Sequence, residues 1–181
     1  MTTTEISVLT AIESENPLVI EELCHMINSV YRDDEKGIWN GNESRTNYSE
    51  IKQQIQLKRI VVARVDGDLC GCVCIYLLSD DIGSFGMLSV LPSFRRQRIG
   101  QSLVEFAEKE ILRMGSSILE IDLLIPTNWK HPSKELLKTW YMKQGYRKVT
   151  TRNITEIYDD KTAFLATECS VIVYRKELIN E

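Results

Sequence analysis

The sequence predicts an α+β fold whose strands and helices follow the order β-α-α-β-β-β-α-β-α-β-β. Three observations support this prediction. The dipeptide Asp66-Gly67 separates two apolar, alternating segments, which is typical of a β-hairpin. After residue 98, the apolar residues change from alternation to helical spacing. The strand that follows this helix completes a strand–helix–strand crossover, which is expected to be parallel and right-handed.

The length and composition indicate one globular domain. A chain of 181 residues can bury a sizeable core, and we expect residues 1–181 to form a single domain. With 43% hydrophobic and 27% charged residues and a net charge of −4, the chain is not expected to bind nucleic acid or an anionic membrane. The N-terminus lacks a secretory signal pattern, and no apolar segment reaches the ~18–20 residues of a membrane span. We therefore expect a cytoplasmic protein with five free cysteine thiols.

The first half of the chain predicts one strand, two helices and a three-stranded antiparallel meander. Asn16 followed by Pro17 indicates a helix start, because Asn is a favourable N-cap and Pro fits the first helical turn. A second, short helix is expected near residues 47–57. The strands are expected at residues 5–12, 59–65, 69–78 and 84–91.

The second half predicts two helices that alternate with strands. The first helix begins near Ile99 and ends at Gly115, and the second begins at Pro132 and ends at Gly145. The remaining strands are expected at residues 119–125, 146–151 and 169–176, with a long loop over residues 152–167.

Three cysteines alternate along one predicted strand. Cys70, Cys72 and Cys74 are spaced by two residues, so a regular strand would place all three on one face. A zinc site would need ligands that converge from a turn, together with a second ligand cluster. We interpret the three as small buried side chains and expect no metal site.

A basic loop between a strand and a helix is the most informative segment of the sequence. The strand ends at Pro92 and the helix begins near Ile99. The first amides of a helix have no intrahelical partners, and the helix dipole favours negative charge there. Gly100 allows a phosphate to approach the backbone without a Cβ in the way. The loop also carries forked cationic donors for phosphate oxygens, namely Arg95, Arg96 and Arg98.

The alternative interpretation of this loop is a solvated turn. Three arginines at the positive end of a helix repel that end unless an anion compensates, which favours an anion site. The loop matches neither the P-loop pattern G-x-x-x-x-G-K-[ST] nor the dinucleotide pattern G-x-G-x-x-G. The expected ligand is therefore a pyrophosphate of another kind of cofactor.

The same loop resembles motif A of the GNAT superfamily of N-acetyltransferases, V-x-P-x-x-R-x-x-[GR]-[IV]-[GA]. The matching positions are Val90, Pro92, Arg95, Arg98, Ile99 and Gly100. The family commonly has Gly where Arg98 stands, so this position departs from the pattern. A second match is Tyr141 to Tyr146, which is similar to the family's Y-x-x-x-G-[FY], and residues 119–123 resemble its fifth strand. The resemblance implies a GNAT-like mixed central sheet with helices on both faces.

The resemblance also implies the cofactor and the reaction. Acetyl-CoA (CoA after transfer) would be the co-substrate, without a metal, and acetyl would pass directly to a primary amine through a tetrahedral intermediate. The strand before the loop would bond the pantetheine arm, residues 97–101 would hold the pyrophosphate, and the N–H of Val90 would polarise the thioester carbonyl. Lys134 occupies the position of a common family Asn, so that Asn contact does not carry over. The candidate cofactor-binding residues are Leu88, Ser89, Val90, Arg95, Arg96, Gln97, Arg98, Ile99, Gly100, Gln101 and Lys134.

Tyr141 is the candidate catalytic residue. From spacing alone it is a core aromatic of an amphipathic helix, but the motif match implies that its phenol protonates the departing CoA thiolate. The general base stays open between Glu120, Asp122 and a chain of water molecules. His25 and His131 have no partner pattern and are expected at the surface.

The acceptor pocket is expected to form from residues 32–48 and 152–167. Available apolar side chains are Trp39, Tyr48, Tyr158 and Phe164, and carboxylates that would attract a cationic amine are Asp33, Asp34, Glu35, Asp159 and Asp160. A small-molecule amine is the leading acceptor. The alternatives are a protein lysine or N-terminus, or a CoA-binding sensor without turnover, and a homodimer is left open.

Overall fold

The computed structural model describes residues 3–41 and 44–178, except for the side chains of residues 158–160. The strands are β1 (Thr4–Val8), β2 (Ile60–Val65), β3 (Asp68–Leu77), β4 (Ile82–Val90), β5 (Ile118–Pro126), β6 (Arg147–Asn153) and β7 (Cys169–Glu177). The helices are α1 (Pro17–Asp34), α2 (Tyr48–Gln56), α3 (Ile99–Arg113), α4 (Pro132–Lys143) and α5 (Thr155–Tyr158). Within these ranges, no helix is long and apolar enough to cross a membrane.

The seven strands form one mixed sheet in the order β1-β2-β3-β4-β5-β7-β6. The pair β4–β5 is parallel, and the other neighbouring pairs are antiparallel. Helices α3 and α4 pack against one face of the sheet, and α1 and α2 pack against the other. The predicted fold class, a mixed sheet with helices on both faces, is confirmed.

Local sequence signals explain several of the element boundaries. The side chain of Asn16 accepts a hydrogen bond from the Leu18 N–H at 3.1 Å and caps α1. Asp66 and Gly67 have φ values of 51° and 94°, which are the left-handed conformations that a two-residue hairpin turn requires. At Gly83, an added Cβ would overlap the side chain of Ile111, so this glycine allows α3 to pack closely on β4.

The predicted secondary structure is wrong in two segments. The first strand ends at Val8, and residues Ala11–Glu15 form a 3₁₀ helix instead of a strand. Thr10 and Glu13 form a capping box, with the Glu13 carboxylate accepting from the Thr10 N–H at 2.6 Å. The predicted loop over residues 152–167 contains α5 and a 3₁₀ helix over Asp159–Phe164.

The prediction that three alternating cysteines share one face is also wrong. The register of β2 and β3 shifts between Ala63 and Arg64, and this bulge breaks the alternation of β3. The side chain of Cys70 therefore packs in the core beneath α3, whereas Cys72 and Cys74 pack in the core beneath α1. All three are buried, and the described residues contain no cluster of side chains arranged to hold a metal ion.

Candidate active site

The parallel strands β4 and β5 separate in the middle of the sheet. They pair only from Ile82 with Ile118 to Ser84 with Glu120, and then diverge. Beyond this point β4 has a bulge opposite β3, and Met87 takes a φ of 54°. The gap between the strands holds a cavity of about 170 Å³, which we call the gap cavity. Its walls include Phe85, Leu88, Asp122, Leu123, Leu137 and Tyr141.

The end of β4 presents backbone groups to this gap. The N–H of Leu91 donates to the carbonyl oxygen of Cys70 at 2.9 Å, so Leu91 is bonded to β3. Because alternate residues of an antiparallel strand direct their N–H and C=O groups to opposite sides, the groups of Val90 turn away from β3. The side chain of Ser89 is buried and donates to the Met87 carbonyl oxygen at 3.1 Å, so it does not face the gap.

The start of α3 lies just beyond the end of β4. Arg98 is the N-cap residue, with a φ of 64° and no side-chain capping bond. The Ser102 N–H donates to the Arg98 carbonyl oxygen at 2.9 Å, which leaves the N–H groups of residues 99–101 without an intrahelical partner. Arg98 adopts the left-handed conformation that favours glycine, the common family residue at this position. Although Arg98 departs from the family pattern, its backbone keeps the conformation that glycine would adopt there.

The side chains of the basic loop have different surroundings. Arg95 pairs with the Asp34 carboxylate at 2.9 Å and donates from Nε to the Val90 carbonyl oxygen at 3.4 Å. Arg96 and Arg98 are exposed, and neither forms an ion pair with a described residue. The guanidinium groups of Arg96 and Arg98 are thus available to an anion at the helix start.

The remaining predicted cofactor-binding side chains of this loop are engaged within the protein. The amide of Gln97 donates to the Ser93 carbonyl oxygen at 3.2 Å, and that of Gln101 donates to Glu105 at 2.8 Å. Ile99 is buried in the core. These residues can therefore offer their backbone N–H groups to a ligand without moving their side chains.

Gly100 is not required by the packing of the protein itself. A Cβ built on this residue would come no closer than 3.6 Å to another atom, the Cγ2 of Val90. That distance is an ordinary van der Waals contact. A reason for glycine here therefore lies outside the described protein atoms, as expected where a phosphate approaches the backbone.

Tyr141 lies on the buried face of α4 and faces the gap cavity. Its ring packs among other aromatic rings, with centroid distances of 5.7 Å to Tyr146 and 6.2 Å to Phe85. Burial raises the pKa of the Tyr141 phenol above its ordinary value, and the nearby phenol of Tyr31 raises it further. Among the described residues, none forms a hydrogen bond with the Tyr141 hydroxyl, which is held protonated beside the gap.

The two candidate bases on β5 differ in their environments. Glu120 is buried and accepts hydrogen bonds from Arg175 at 2.6 Å and from Arg152 at 3.4 Å. Asp122 lines the gap cavity, where burial raises the pKa of its carboxyl; the charge of Glu120 also raises it, and that of Arg152 lowers it. Asp122 is the carboxylate with access to a ligand in the gap.

Lys134 is buried at the side of the gap cavity and pairs with a carboxylate. Its Nζ lies 2.5 Å from Oε1 of Glu35, and the other oxygen of Glu35 accepts from the Trp39 Nε1–H at 2.6 Å. The two charged residues are 99 positions apart in sequence. The predicted contact of Lys134 with the cofactor stays a prediction, and its ammonium group is held by Glu35 here.

The expectation that both histidines are exposed is wrong for one of them. His25 is exposed, but His131 is buried, with its Nε2 at 3.1 Å from the Lys36 carbonyl oxygen. Its ring packs against Trp129 at a centroid distance of 5.1 Å. His131 therefore connects the start of α4 to the segment that follows α1.

A second cavity of about 370 Å³ adjoins the first and is called here the acceptor cavity. Its walls come from residues 31–41, 44–45 and 161–164, which lie within the two segments expected to form the pocket except for residue 31. The segments are joined by hydrogen bonds from the Asn40 N–H to the Phe164 carbonyl oxygen at 2.7 Å and from the Ala166 N–H to the Ile38 carbonyl oxygen at 2.8 Å. Five residues line both cavities, namely Tyr31, Glu35, Trp39, Arg45 and Lys161.

The side chains proposed for this pocket from the sequence are only partly there. Trp39 and Phe164 line the acceptor cavity, whereas Tyr48 is exposed elsewhere. The predictions for the side chains of Tyr158, Asp159 and Asp160 concern atoms outside the described part of the structure. Sequence reasoning missed Tyr31, Arg45 and Lys161, for which no local motif gives a signal.

The acidic lining expected for a cationic amine is not present among the described side chains. Asp33 is exposed and lines neither cavity, and Asp34 is paired with Arg95. Glu35 lines both cavities but is paired with Lys134. The carboxylates close to the acceptor cavity are thus already neutralised.

Two parallel strands that separate beside a helix start without a side-chain cap can accept an extended ligand that carries phosphate. The family model of the acetyltransferase (GNAT) domain matches residues 56–148. The match covers half of the chain, so the chain belongs to the GNAT acetyltransferase family. The resemblance seen in the sequence is confirmed, and the chain is an acetyltransferase that uses acetyl-CoA.

Solved structures share the whole fold at low sequence identity. An aminoglycoside 6′-N-acetyltransferase complexed with coenzyme A is 17% identical, with a TM-score of 0.73 and 98% of each chain covered. The aminoglycoside 6′-N-acetyltransferase from Enterococcus faecium is 17% identical, with a TM-score of 0.69 and 98% of each chain covered. An alanine N-acetyltransferase of a ribosomal protein from Escherichia coli is 13% identical, with a TM-score of 0.64, covering 99% of this chain and 96% of that chain. No curated protein matches the chain in sequence.

Proposed function

We propose that the chain is an N-acetyltransferase that moves acetyl from acetyl-CoA to the primary amine of a small molecule by direct attack. We also propose that residues 1–181 form one acetyltransferase domain. The observation that carries the proposal is the open gap between β4 and β5, which adjoins an uncapped helix start on one side and the acceptor cavity on the other. A cavity of about 370 Å³ is within the range of small-ligand sites, which favours a small acceptor over an extended peptide.

The cofactor would lie along the end of β4. The pantetheine arm would extend the sheet by bonding the backbone groups near Leu88 and Val90 that turn toward the gap. The pyrophosphate would bind the N–H groups at the start of α3, with Arg96 and Arg98 adding charge. The N–H of Val90 would then donate to the thioester carbonyl oxygen, where negative charge develops.

The chemistry would proceed in one sequence of bond changes at the thioester carbon. Asp122 would accept a proton from the ammonium form of the acceptor, and the free amine would attack the carbonyl carbon to form a C–N bond. Collapse of the tetrahedral intermediate would break the C–S bond, and Tyr141 would give its proton to the departing thiolate. The excess proton on the newly bonded nitrogen would then return to the Tyr141 phenolate and leave a neutral amide. Positioning of both reactants in adjoining cavities would supply much of the rate.

The cysteines support a reducing, cytoplasmic setting as part of the proposal. All five are free thiols, and four of them are buried. A chain exposed to an oxidising compartment would commonly use some of its cysteines in disulfides.

Amine-dependent release of CoA thiol from acetyl-CoA tests the function. Small primary amines, lysine peptides and free N-terminal peptides are offered in parallel, with acetyl-CoA alone as the blank. We expect small amines to saturate the enzyme and to accelerate thiol release above the blank. Saturation by peptides alone would indicate a protein acceptor, and tight acetyl-CoA binding without any amine-dependent release would indicate a sensor.

A further inference from the structure

The charged residues that line the acceptor cavity are mostly positive. The described charged residues are Arg32, Glu35, Lys36, Arg45 and Lys161. Glu35, the one carboxylate among them, is bonded to the Lys134 ammonium at 2.5 Å and to the Trp39 indole N–H at 2.6 Å. Four cationic residues therefore line this cavity, and the carboxylate described there already has two hydrogen-bond partners.

Two of these cations have an explanation in the fold itself. Arg32 lies in the last turn of α1 and Lys36 lies just after it. Cations are favourable at a helix C-terminus because they compensate the negative end of the helix dipole. These two residues add to the potential of the cavity, but they do not by themselves indicate a ligand.

Lys161 has no such explanation. It lies in the 3₁₀ helix between β6 and β7 and lines both cavities. Among the described residues, no carboxylate lies within ion-pair distance of its ammonium group. Arg45 approaches from the opposite segment, with its guanidinium 5.2 Å from the ring centroid of Tyr31.

Several like charges around one concave site raise the local concentration of counter-ions, because the walls have a low dielectric constant and focus the field. The described cations would repel a cationic acceptor, whereas an anion would relieve the repulsion among them. Because Lys161 lines both cavities, an anion bound to it would lie next to the gap. The other end of the same small molecule could then reach Asp122, which lines the gap cavity.

We propose that the acceptor is a small primary amine that also carries a carboxylate or a phosphate, and that Lys161 is the principal contact of this anionic group. This inference rests on the proposed function. The anionic group of the acceptor would lie among the cations of the acceptor cavity, and its amine would lie near the Asp122 carboxylate in the gap cavity.

The test compares acceptors that differ in charge but little in size. β-Alanine is compared with β-alaninamide, and O-phosphoethanolamine with ethanolamine, so that the two pairs separate a carboxylate from a phosphate. Kanamycin serves as a polycationic acceptor. Rates are compared at one pH and expressed per total amine, because the proposed base takes its proton from the ammonium form. We expect kcat/KM to be about tenfold higher for the anionic member of at least one pair.

Variants of one lysine link this preference to the cavity. Lys161→Glu is expected to lower kcat/KM for the preferred anionic amine by about 10- to 100-fold and to leave the Kd of acetyl-CoA unchanged, while Lys161→Arg retains most of the preference. Lys148→Glu is the matched control, because Lys148 is an exposed residue of β6 that lines neither cavity. A preference for the neutral amines or for kanamycin, or a preference that survives Lys161→Glu, would overturn the inference.

Binding separates this inference from the proposed function. Calorimetric titration of β-alanine and O-phosphoethanolamine into the CoA-bound protein requires no turnover. Binding that Lys161→Glu abolishes would support the anion site even if no thiol were released, in which case only the proposed reaction would fail. Absence of binding by both anionic amines would overturn the anion site, even if other amines were acetylated.

Discussion

Desolvation raises the pKa of two ionisable side chains at the gap, and each shift suits the role proposed for that residue. The pKa of the Tyr141 phenol is raised, so it keeps its proton over the whole physiological range and can serve as an acid. The pKa of the Asp122 carboxyl is also raised, which makes its carboxylate a stronger base than an aspartate with the ordinary pKa. Tyr141 lies in the core beneath α3, and Asp122 is on the alternate face of β5 from Ile121 and Leu123 in that core.

Tyr141→Phe is expected to lower turnover by about 10²-fold, because the thiolate would lose its positioned proton donor. Binding of acetyl-CoA should change little, and the fold should survive because the ring and its packing remain. Tyr146→Phe is the matched control, since Tyr146 is also buried but donates its hydroxyl to Glu108 at 2.8 Å. Single-turnover kinetics with both variants measures the chemical step, and near wild-type rates for Tyr141→Phe would remove this residue from the mechanism.

The same residue makes a prediction about the alkaline side of the pH profile. An acid must be protonated to act, so activity is lost as the pH rises through the pKa of Tyr141. Because that pKa is raised above the ordinary tyrosine value of about 10, the wild-type enzyme should show no decline from this group below about pH 10. A falling limb near neutral pH that Tyr141→Phe eliminates would contradict the raised pKa.

Asp122→Asn is expected to lower kcat/KM by about 10²-fold, because the acceptor ammonium would lose its base. A base must be ionised, so wild-type activity should rise with pH through the pKa of Asp122, at a higher pH than for an aspartate with the ordinary pKa. The acceptor amine titrates identically with both enzymes, so the difference between the two pH profiles reports Asp122 alone. Glu120→Gln should lower the Tm, because it breaks the pairs with Arg152 and Arg175, and should move the rising limb to lower pH, because the charge of Glu120 raises the pKa of Asp122. Identical profiles for wild type and Asp122→Asn would assign the base to a water chain.

Among the elements, those with a local signal were predicted and those formed by distant contacts were not. Helix α1 begins at Pro17 after its cap Asn16, and Asp66-Gly67 forms the turn between β2 and β3, both as expected. The alternation that suggested a strand over residues 5–12 continues past Val8, but the local capping box at Thr10 forms a 3₁₀ helix instead. The bulge at Cys70 depends on how β2 pairs with β3, and the strand pattern alone does not contain that information.

Gly100 in the first turn of α3 is the basis of a prediction at this scale. Gly100→Ala should raise the Tm slightly, because Ala is favoured over Gly in a helix by ~1 kcal/mol and the new Cβ meets only Val90 at 3.6 Å. The same change should weaken acetyl-CoA binding, since the Cβ would occupy the space of the phosphates.

Gly100→Asp should weaken binding further, by about 2–4 kcal/mol in total, because it adds a negative charge beside the phosphates. Gly100→Asn is the control that adds nearly the same volume without the charge. Calorimetric titration of acetyl-CoA with the three variants separates volume from charge. Unchanged affinity in all three folded variants would place the phosphates elsewhere.

At the scale of the whole molecule, the gap is a consequence of how the sheet is held together. Beyond Ser84, β4 stays paired with β3, and β5 stays paired with β7 over its full length. Each half of the sheet therefore keeps a complete partner on its outer side, and the two halves are packed against helices. In the described part of the chain, the backbone groups of β4 and β5 that face the gap lack strand partners past the split, and an extended cofactor could bond to them.

The two halves of the site differ in how far the sequence could predict them. The cofactor half is contiguous, because the end of β4, the basic loop and the start of α3 follow one another over residues 88–101. The acceptor half joins segments more than a hundred positions apart. The two segments could be predicted from the sequence, but the charged residues that line the cavity could not, because they depend on how the segments pack together. The pairing of Glu35 with Lys134 neutralises a carboxylate that was expected to attract the acceptor, and no local pattern predicts a pair between residues so far apart in sequence.

The stability of the whole chain should report the cofactor. A ligand that binds only the folded state stabilises it by mass action, by ~2.7 kcal/mol at a hundredfold excess over Kd. CoA and acetyl-CoA should therefore raise the Tm, whereas ATP and NAD should raise it much less, because they lack the pantetheine arm that would fill the gap between β4 and β5. Pantetheine and adenosine 3′,5′-bisphosphate, each alone, separate the gap from the helix start, and CoA should exceed both. Gly100→Asp should reduce the shift with CoA and with the bisphosphate while sparing that with pantetheine. Equal shifts with ATP and acetyl-CoA would show that the gap contributes nothing to binding and that the helix start is a general phosphate site.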